Sequence, residues 1–237
     1  MILTAHQPVY LPWLGLFHKI SLADKFCFFD DVQYEVRGWN NRNYIKGNNS
    51  DKMLLTVPVL SKGHIGKSYM QLKINNGSSW QKKHWGTIEC VYKKHPYFDL
   101  YADDLLYFYK KRWEYLVDLN FEMLLYFLKV LNINIEVVRM SDNVFSGEKS
   151  SLVLDMCRKL NADAYIFGKL GADYADVVAF NRYGIEVEFQ DYQHPVYPQI
   201  SSVFTEGLSI IDLLFNCGDE AKAILLHDNV SNFVKEG

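Results

Sequence analysis

The chain has 237 residues, of which 49% are hydrophobic and 22% charged, proportions that are typical of folded domains. Its net charge is -3 at pH 7, with acidic and basic residues interspersed, which argues against nucleic acid as a partner because a phosphate backbone requires a broad basic surface. The first residues do not resemble a signal peptide and no apolar stretch of about 20 residues occurs, so we expect a cytoplasmic protein without membrane insertion.

The amino-terminal segment predicts a strand, a loop, a helix and a second strand. Residues Met1 to Ala5 form a short apolar run, and the two prolines of HQPVYLPWLG then prevent regular structure. Apolar residues recur at helical spacing from Leu14, and KFCFFDDVQY is strand-like. Because such a unit makes a right-handed crossover between parallel strands, we expect the loop after Ala5 at the carboxyl edge of a sheet, where open α/β sheets bind ligands.

The remaining segments extend this α/β pattern. The polar stretch YEVRGWNNRNYIKGNNSDK, the strand candidate MLLTVPVL and the loop after it predict extended segments and ordered loops. Residues from about 80 to 131 are helical by period, and three strand candidates follow: INIEVVRMSD, DAYIFGKLGADY and IEVEFQDY. The sequence therefore predicts an α/β fold, a mainly parallel sheet flanked by helices, in a single domain of residues 1–237 with a helical middle insert at about 80–131.

The candidate catalytic residues follow the first two predicted strands. His6 lies just beyond a buried strand on a loop stiffened by Pro8, which suits a base or a hydrogen-bond donor. Gln7 could orient a carbonyl group, and the carboxylate of Asp31, which ends the second apolar run, could orient the imidazole. A packing role for His6 and a backbone-capping role for Gln7 fit the sequence equally well.

The candidate substrate-binding residues are aromatic, amide, cationic and glycine positions that suit phosphates, a base and a sugar. They are Tyr10, Gln33, Arg37, Trp39, Asn41, Arg42, Asn43, Gly168, Lys169, His194, Tyr197 and Gln199. A solvated loop is the competing interpretation for residues 37–43. Ser209 and Asp212 fit the capping box S-x-x-[DE], so we assign both to capping a helix.

Several familiar motifs are missing from the sequence. No P-loop, GxGxxG or GxSxG pattern and no HExxH pair occurs, and the four cysteines lack CxxC spacing, so no metal site is predicted. We expect these cysteines to be reduced and mostly buried.

Three long motifs resemble the WbqC-like protein family. They are TAHQPVYLPWLGLFHKISLADKFCFFDDVQY, RGWNNRNYIK, and GIEVEFQDYQHPVYPQ with LSIIDLLFNCG. The resemblance implies work on nucleotide-linked sugars, because members are typically encoded among bacterial genes for surface polysaccharides such as the O-antigen of lipopolysaccharide. It also implies that some members transfer an acyl or aminoacyl group to an amino sugar. The positions that match the motifs are His6, Gln7, Pro8, Asp31, Gln33, Tyr197 and Gln199.

The first forty residues also resemble, more distantly, the start of nucleotidylyltransferases of the pantothenate-synthetase kind. Those enzymes share the order of strand, loop with proline and histidine, helix and strand. The HxGH signature is absent, and Leu-Phe-His-Lys stands at the start of the helix instead. The resemblance therefore implies a nucleotidyltransferase-like, Rossmann-type sheet topology more than adenylyl transfer.

Two classes of function compete. In the first, His6 is the base that assists transfer of an acyl or aminoacyl group from a thioester to the amine of a nucleotide-linked amino sugar. Asp31 would orient His6, and Gln7 or a loop amide would stabilise the oxyanion. The thioester donor would be carried by coenzyme A or an acyl carrier protein, and no other cofactor is expected. The nucleotide would be held by Arg37, Trp39 and Arg42. In the second class, the chain is a non-catalytic module that binds a nucleotide sugar or a protein partner, and a nucleotidyltransferase-like enzyme is a further alternative.

Overall fold

A parallel sheet of five strands lies at the centre of the computed structural model, which describes residues 1–36, 38–47, 51–60, 63, 66–200 and 203–227. The described residues form seven strands in all, which are β1 (Ile2–His6), β2 (Lys25–Phe28), β3 (Arg42–Lys46), β4 (Lys52–Thr56), β5 (Glu136–Arg139), β6 (Ala164–Phe167) and β7 (Glu186–Phe189). The parallel sheet has the order β5-β2-β1-β6-β7, whereas β3 and β4 form a separate antiparallel pair.

Helices cover both faces of the parallel sheet. They are α1 (Leu14–Ser21), α2 (Trp80–Tyr92), α3 (Phe98–Lys110), α4 (Leu116–Val130), α5 (Lys149–Lys159), α6 (Val177–Arg182), α7 (Ile210–Cys217) and α8 (Ala221–Leu226). Successive strand residues point to opposite faces, so Phe26 and Phe28 join the larger core with α1, α4 and α7, while Cys27 joins a second core with α5 and α6. The sheet is therefore buried on both sides, as parallel sheets are.

The structure confirms the predicted α/β fold. Strand β1 pairs in parallel with β2, as the first crossover predicts, and it also pairs in parallel with β6 on its other side. The helical middle segment consists of α2, α3 and α4, with bounds close to the predicted 80–131. The sequence analysis did not predict α6, a short helix of six residues that packs Phe180 into the second core.

The β3–β4 hairpin lies within the stretch for which extended segments and ordered loops were predicted. Tyr44 pairs with Leu54 across it, and Tyr44 accepts a hydrogen bond through its carbonyl from the Ser209 amide at 2.8 Å. The hairpin thereby joins the carboxyl-terminal helices to the amino-terminal loop, since the Ile210 amide donates to the Pro12 carbonyl at 2.8 Å.

No helix within the described ranges is long and apolar enough to cross a lipid bilayer. Three of the four cysteines are buried, and Cys90 is exposed on α2. Burial raises the pKa of the Cys27 and Cys157 thiols to about 12, so both are protonated packing residues at neutral pH.

Candidate functional site

The carboxyl edge of the sheet contains a topological switch point between β1 and β6. From β1 the chain moves outward on one side to β2 and β5, and then returns to build β6 and β7 on the other side. Open α/β sheets bind ligands in the crevice that forms at such a reversal of strand order. The residues that end these two central strands are His6 and, directly after β6, Gly168.

His6 is half-buried at the end of β1 and has one free ring nitrogen. Its Nδ1 lies 2.8 Å from the Gln7 carbonyl, which can only accept, so Nδ1 carries the proton and Nε2 presents its lone pair. The ring contacts Trp13 edge to face, with centroids 5.2 Å apart. Burial, and then the nearby Lys19 ammonium, lower the pKa of His6 to about 3, so the imidazole is neutral at pH 7.

Lys19 on α1 is a buried cation beside this histidine. Its side chain is 4% exposed, and its Nζ donates to the Ala5 carbonyl at 2.8 Å. Burial lowers the pKa of Lys19 to about 8, which leaves the amine protonated at neutral pH. The sequence pattern alone gives Lys19 no role, because its burial depends on how α1 packs against β1.

The loop after β1 is held by residues that were predicted to bind substrate. Tyr10 is fully buried, with its hydroxyl 2.8 Å from His84 Nδ1 and 2.7 Å from the Tyr109 hydroxyl. Asn43 is buried and donates through Nδ2 to the Leu11 carbonyl at 2.6 Å. In this structure both side chains support the loop from within the core, because their polar atoms are already paired.

The other asparagines of the RGWNNRN stretch are used in the same way. Asn41 is buried and donates to the Val57 carbonyl at 2.8 Å, and Asn40 donates to the Pro8 carbonyl at 2.8 Å. The Asn40 bond holds the backbone two residues after His6, whereas the Asn41 bond ties the start of the β3 segment to Val57. Leu11, whose φ of 45° is unusual for a residue with a side chain of this size, is held by the bond from Asn43.

The carboxylate predicted to orient His6 lies elsewhere. Asp31 is exposed, and the Gln7 carbonyl, not Asp31, orients the His6 ring in this structure. The neighbouring Asp30 is fully buried at the same sheet edge, where it accepts from Arg139 Nε at 2.6 Å and from the Ser141 amide at 2.8 Å. Asp30 is thus neutralised by an arginine that the sequence analysis did not single out.

The other predicted site residues between positions 7 and 42 differ in exposure. Gln7 is half-buried and its Oε1 accepts from the Tyr69 hydroxyl at 3.2 Å. Gln33 is exposed and forms an isolated bridge with Ser68. Trp39 is 48% exposed, and Arg42 is half-buried with its Nε donating to the Gly38 carbonyl at 3.1 Å. Arg37 lies outside the described residues.

The glycine after β6 borders the switch point as expected. Gly168 is half-buried, and a Cβ placed on it would meet, within 4 Å among described residues, the Lys19 Nζ at 4.0 Å and nothing else. Lys169 begins a 3-10 turn, Lys169–Asp173, and its side chain is exposed. Gly168 therefore lies at the carboxyl edge of the sheet, as His6 does, and next to Lys19.

The predicted site residues Tyr197 and Gln199 belong to a buried hydrogen-bond network around Asp212. This carboxylate accepts from the Tyr197 hydroxyl at 2.9 Å, from Gln199 Nε2 at 2.8 Å and from the Tyr92 hydroxyl at 2.9 Å. Ser209 caps α7 as predicted, but the capping-box role assigned to Asp212 is wrong, because its carboxylate faces these three donors. Burial raises the pKa of Asp212, and the three hydrogen bonds oppose that shift.

His194 is connected to the surroundings of His6 through aromatic rings. Its ring lies 6.1 Å from Tyr192, and a Cβ on Gly15 would touch both the Tyr192 ring, at 3.0 Å, and Trp13 Nε1, at 2.7 Å. The Gly207 amide donates to His194 Nε2 at 3.2 Å. Gly15 thus lets the loop after β7 approach the start of α1 closely, near the residue that contacts His6.

Two cavities of the described structure lie elsewhere. One of about 770 Å³ follows the exposed face of α2 beside Met53, and one of about 290 Å³ lies between Lys111 and Arg139. Neither is lined by His6, Lys19 or Gly168. The candidate site is therefore identified by its polar groups at the switch point.

The fold and this site define an open, doubly wound α/β protein with a neutral histidine and a buried lysine at its switch point. More particularly, the chain belongs to the WbqC-like protein family, which it matches over residues 7–224. This confirms the family resemblance that the three motifs indicate.

One curated relative is similar over nearly the full length of both chains. The chain is 33% identical over 217 residues to the Mycobacterium tuberculosis (strain ATCC 25618 / H37Rv) protein named "Uncharacterized protein Rv1507c", and the match covers 91% of this chain and 93% of the relative. No solved structure matches the chain significantly.

Proposed function

We propose that this protein is an acyl- or aminoacyltransferase that modifies the amine of a nucleotide-linked amino sugar, in the cytoplasmic stage of bacterial surface polysaccharide synthesis. The observation that carries the proposal is a neutral, half-buried His6 at the end of β1, beside a buried cation, whose Nε2 has no hydrogen-bond partner among the described residues. Membership of the WbqC-like family supports the substrate class, through the association of that family with polysaccharide genes.

The proposed step is aminolysis of a thioester. The sugar amine attacks the thioester carbonyl carbon, the C–N bond forms, and His6 Nε2 accepts a proton from the nitrogen of the tetrahedral intermediate. The C–S bond then breaks and the thiolate leaves, taking that proton. Because the pKa of His6 is about 3 in the free protein, we expect its base assistance at the lower end of the usual contribution of roughly 10² to 10⁴ in rate, and positioning of the reactants supplies the remainder.

Gln7 is the proposed donor to the oxyanion. Its Oε1 is occupied by the Tyr69 hydroxyl, which fixes the amide plane and leaves the Nε2 hydrogens without a protein acceptor among the described residues. An amide donor fixed in advance stabilises a developing negative charge better than a mobile one. Trp39, with an exposed ring, remains the proposed stacking surface for the nucleotide base.

We test the proposal with His6→Asn. The variant keeps a polar side chain but loses the basic ring nitrogen, so we expect turnover to fall by about 10² or more while ligand affinity changes little. The measurement is release of free thiol from acyl-coenzyme A in the presence of a panel of nucleotide-linked amino sugars, with the product followed by mass. The matched control is His227→Asn at an exposed position, which we expect to turn over normally.

The second candidate is nucleotidyl transfer, which the strand order β5-β2-β1-β6-β7 favours, because nucleotide-binding sheets share this order. That activity consumes a nucleoside triphosphate and releases pyrophosphate.

Undiminished turnover in His6→Asn contradicts the proposed acyl-transfer mechanism. Ligand binding without any turnover favours instead the non-catalytic binding module.

A further inference from the structure

Lys19 is a buried charge without a counterion among the described residues. Its ammonium has the Ala5 carbonyl as its hydrogen-bond acceptor, and none of the ion pairs in the described part of the chain includes it. An ammonium removed from water is costly unless an opposite charge compensates it, and buried cations in proteins are therefore usually paired. His6, whose pKa the Lys19 ammonium helps to lower, is neutral and does not compensate the charge.

The ammonium borders a space that a glycine leaves open. A Cβ on Gly168 would lie 4.0 Å from Lys19 Nζ and would meet no other described atom within 4 Å. The φ of Gly168 is -70°, which any residue adopts, so the backbone conformation does not require glycine here. Glycine after a strand allows a ligand to approach the backbone closely.

We propose that phosphate oxygens of the substrate bind over Gly168 against the Lys19 ammonium, at the switch point between β1 and β6. Lysine binds phosphate as a compact point charge and needs no planar, bidentate partner, which fits one ammonium at the base of a small space. The position is the one where open α/β sheets hold the phosphates of nucleotides. At pH 7 the amine is protonated and able to pair with the anion.

This anion site would bind the phosphates of the proposed substrate, so the choice of that substrate rests on the proposed function. A nucleotide-linked sugar carries a diphosphate between its nucleoside and its sugar, so binding that diphosphate beside Lys19 would place the sugar near His6. Coenzyme A also carries phosphates, so the donor is the competing source of the anion. Binding itself forms and breaks no covalent bond, and it can be measured without turnover.

The test compares anion binding by the whole protein and by two variants. Lys19→Met replaces the charge with an apolar chain of similar length, and Gly168→Ala fills the space without changing any charge. We expect each to weaken binding of inorganic pyrophosphate and of uridine diphosphate at least tenfold by titration calorimetry. The control Lys129→Met, at an exposed position of α4, removes the same charge and should leave the affinity unchanged.

The melting temperature separates a binding role from a structural one. Replacing an uncompensated buried charge by an apolar group is neutral or stabilising, so Lys19→Met without ligand should melt at or above the temperature of the wild type. A large fall in its melting temperature, together with unchanged pyrophosphate affinity in Gly168→Ala, overturns the proposal. Gly168→Ala decides the question even when Lys19→Met fails to fold.

Competition identifies the source of the phosphate. Displacement of pyrophosphate by uridine diphosphate and not by coenzyme A supports the nucleotide sugar as ligand, and the reverse result overturns that assignment. Equal pyrophosphate affinity in wild type and both variants overturns the anion site itself. Loss of pyrophosphate binding in the variants, without any acyl transfer by the wild type, preserves the anion site and removes only the proposed transferase function.

Discussion

Asp212 illustrates why single polar residues were hard to interpret from the sequence. Tyr197 and Gln199 match a family motif and resemble substrate-binding residues, yet both donate to the buried Asp212 carboxylate. Gln199 also accepts from the Thr205 amide at 2.9 Å, which ties the loop to itself. The spacing of these residues along the chain predicts neither contact, because the partners meet only when the loop folds back onto α7.

We expect Tyr197→Phe to destabilise the fold by about 1.5 to 3 kcal/mol, the range for a hydrogen bond to a charged group. The variant keeps the ring but leaves a buried carboxylate with one donor fewer. Urea unfolding at pH 7 measures the effect. Tyr183→Phe is the control, because that ring is 55% exposed, and we expect a change within about 0.5 kcal/mol. Equal stability of the two variants would contradict this account.

At the scale of elements, the loop between β1 and α1 is positioned by a distant hairpin. Asn43 on β3 donates to the Leu11 carbonyl at 2.6 Å, and its Oδ1 accepts from the Tyr44 amide at 2.8 Å. The sequence predicts a loop here from its prolines, and the crossover rule predicts its place at the sheet edge. The loop conformation, however, depends on a residue 32 positions further along the chain.

We expect Asn43→Ala to cost about 1 to 3 kcal/mol, because it leaves the buried Leu11 carbonyl without its donor. Since this loop begins directly after His6, turnover should fall more steeply than stability at a temperature where the variant is folded. The control is Asn181→Ala at an exposed position of α6, where alanine favours the helix. Unfolding curves and thiol release measured on both variants decide the point, and normal turnover in folded Asn43→Ala would separate the loop from catalysis.

For the whole molecule, buried neutral histidines make stability depend on pH. Burial lowers the pKa of His84 to about 4 and is also the main cause of the lowered pKa of His6, about 3. Both have a pKa near 6.5 in the unfolded chain, so between about pH 6.5 and 4 the unfolded state binds more protons than the folded state. Stability is therefore fully present above about pH 6.5 and is lost as the pH falls.

We expect His84 alone to account for roughly 2 to 3 kcal/mol of stability lost between pH 7 and pH 4. Urea unfolding at several pH values should show a shallower loss in His84→Asn, although that variant is less stable at pH 7 because Tyr10 loses a partner. An unchanged slope in His84→Asn would assign the pH dependence to other groups.

The sequence by itself determined the mainly parallel α/β arrangement, the helical middle segment, the family and the place of His6 at a sheet edge. These features depend on local periodicity, on turn residues and on the handedness of crossovers, all of which are written in neighbouring residues. Only the tertiary structure decided which polar side chains are free to meet a ligand. Tyr10, Asn43 and Asp30 are satisfied by partners that are distant in sequence, whereas the Lys19 ammonium lies beside Gly168 without a counterion among the described residues.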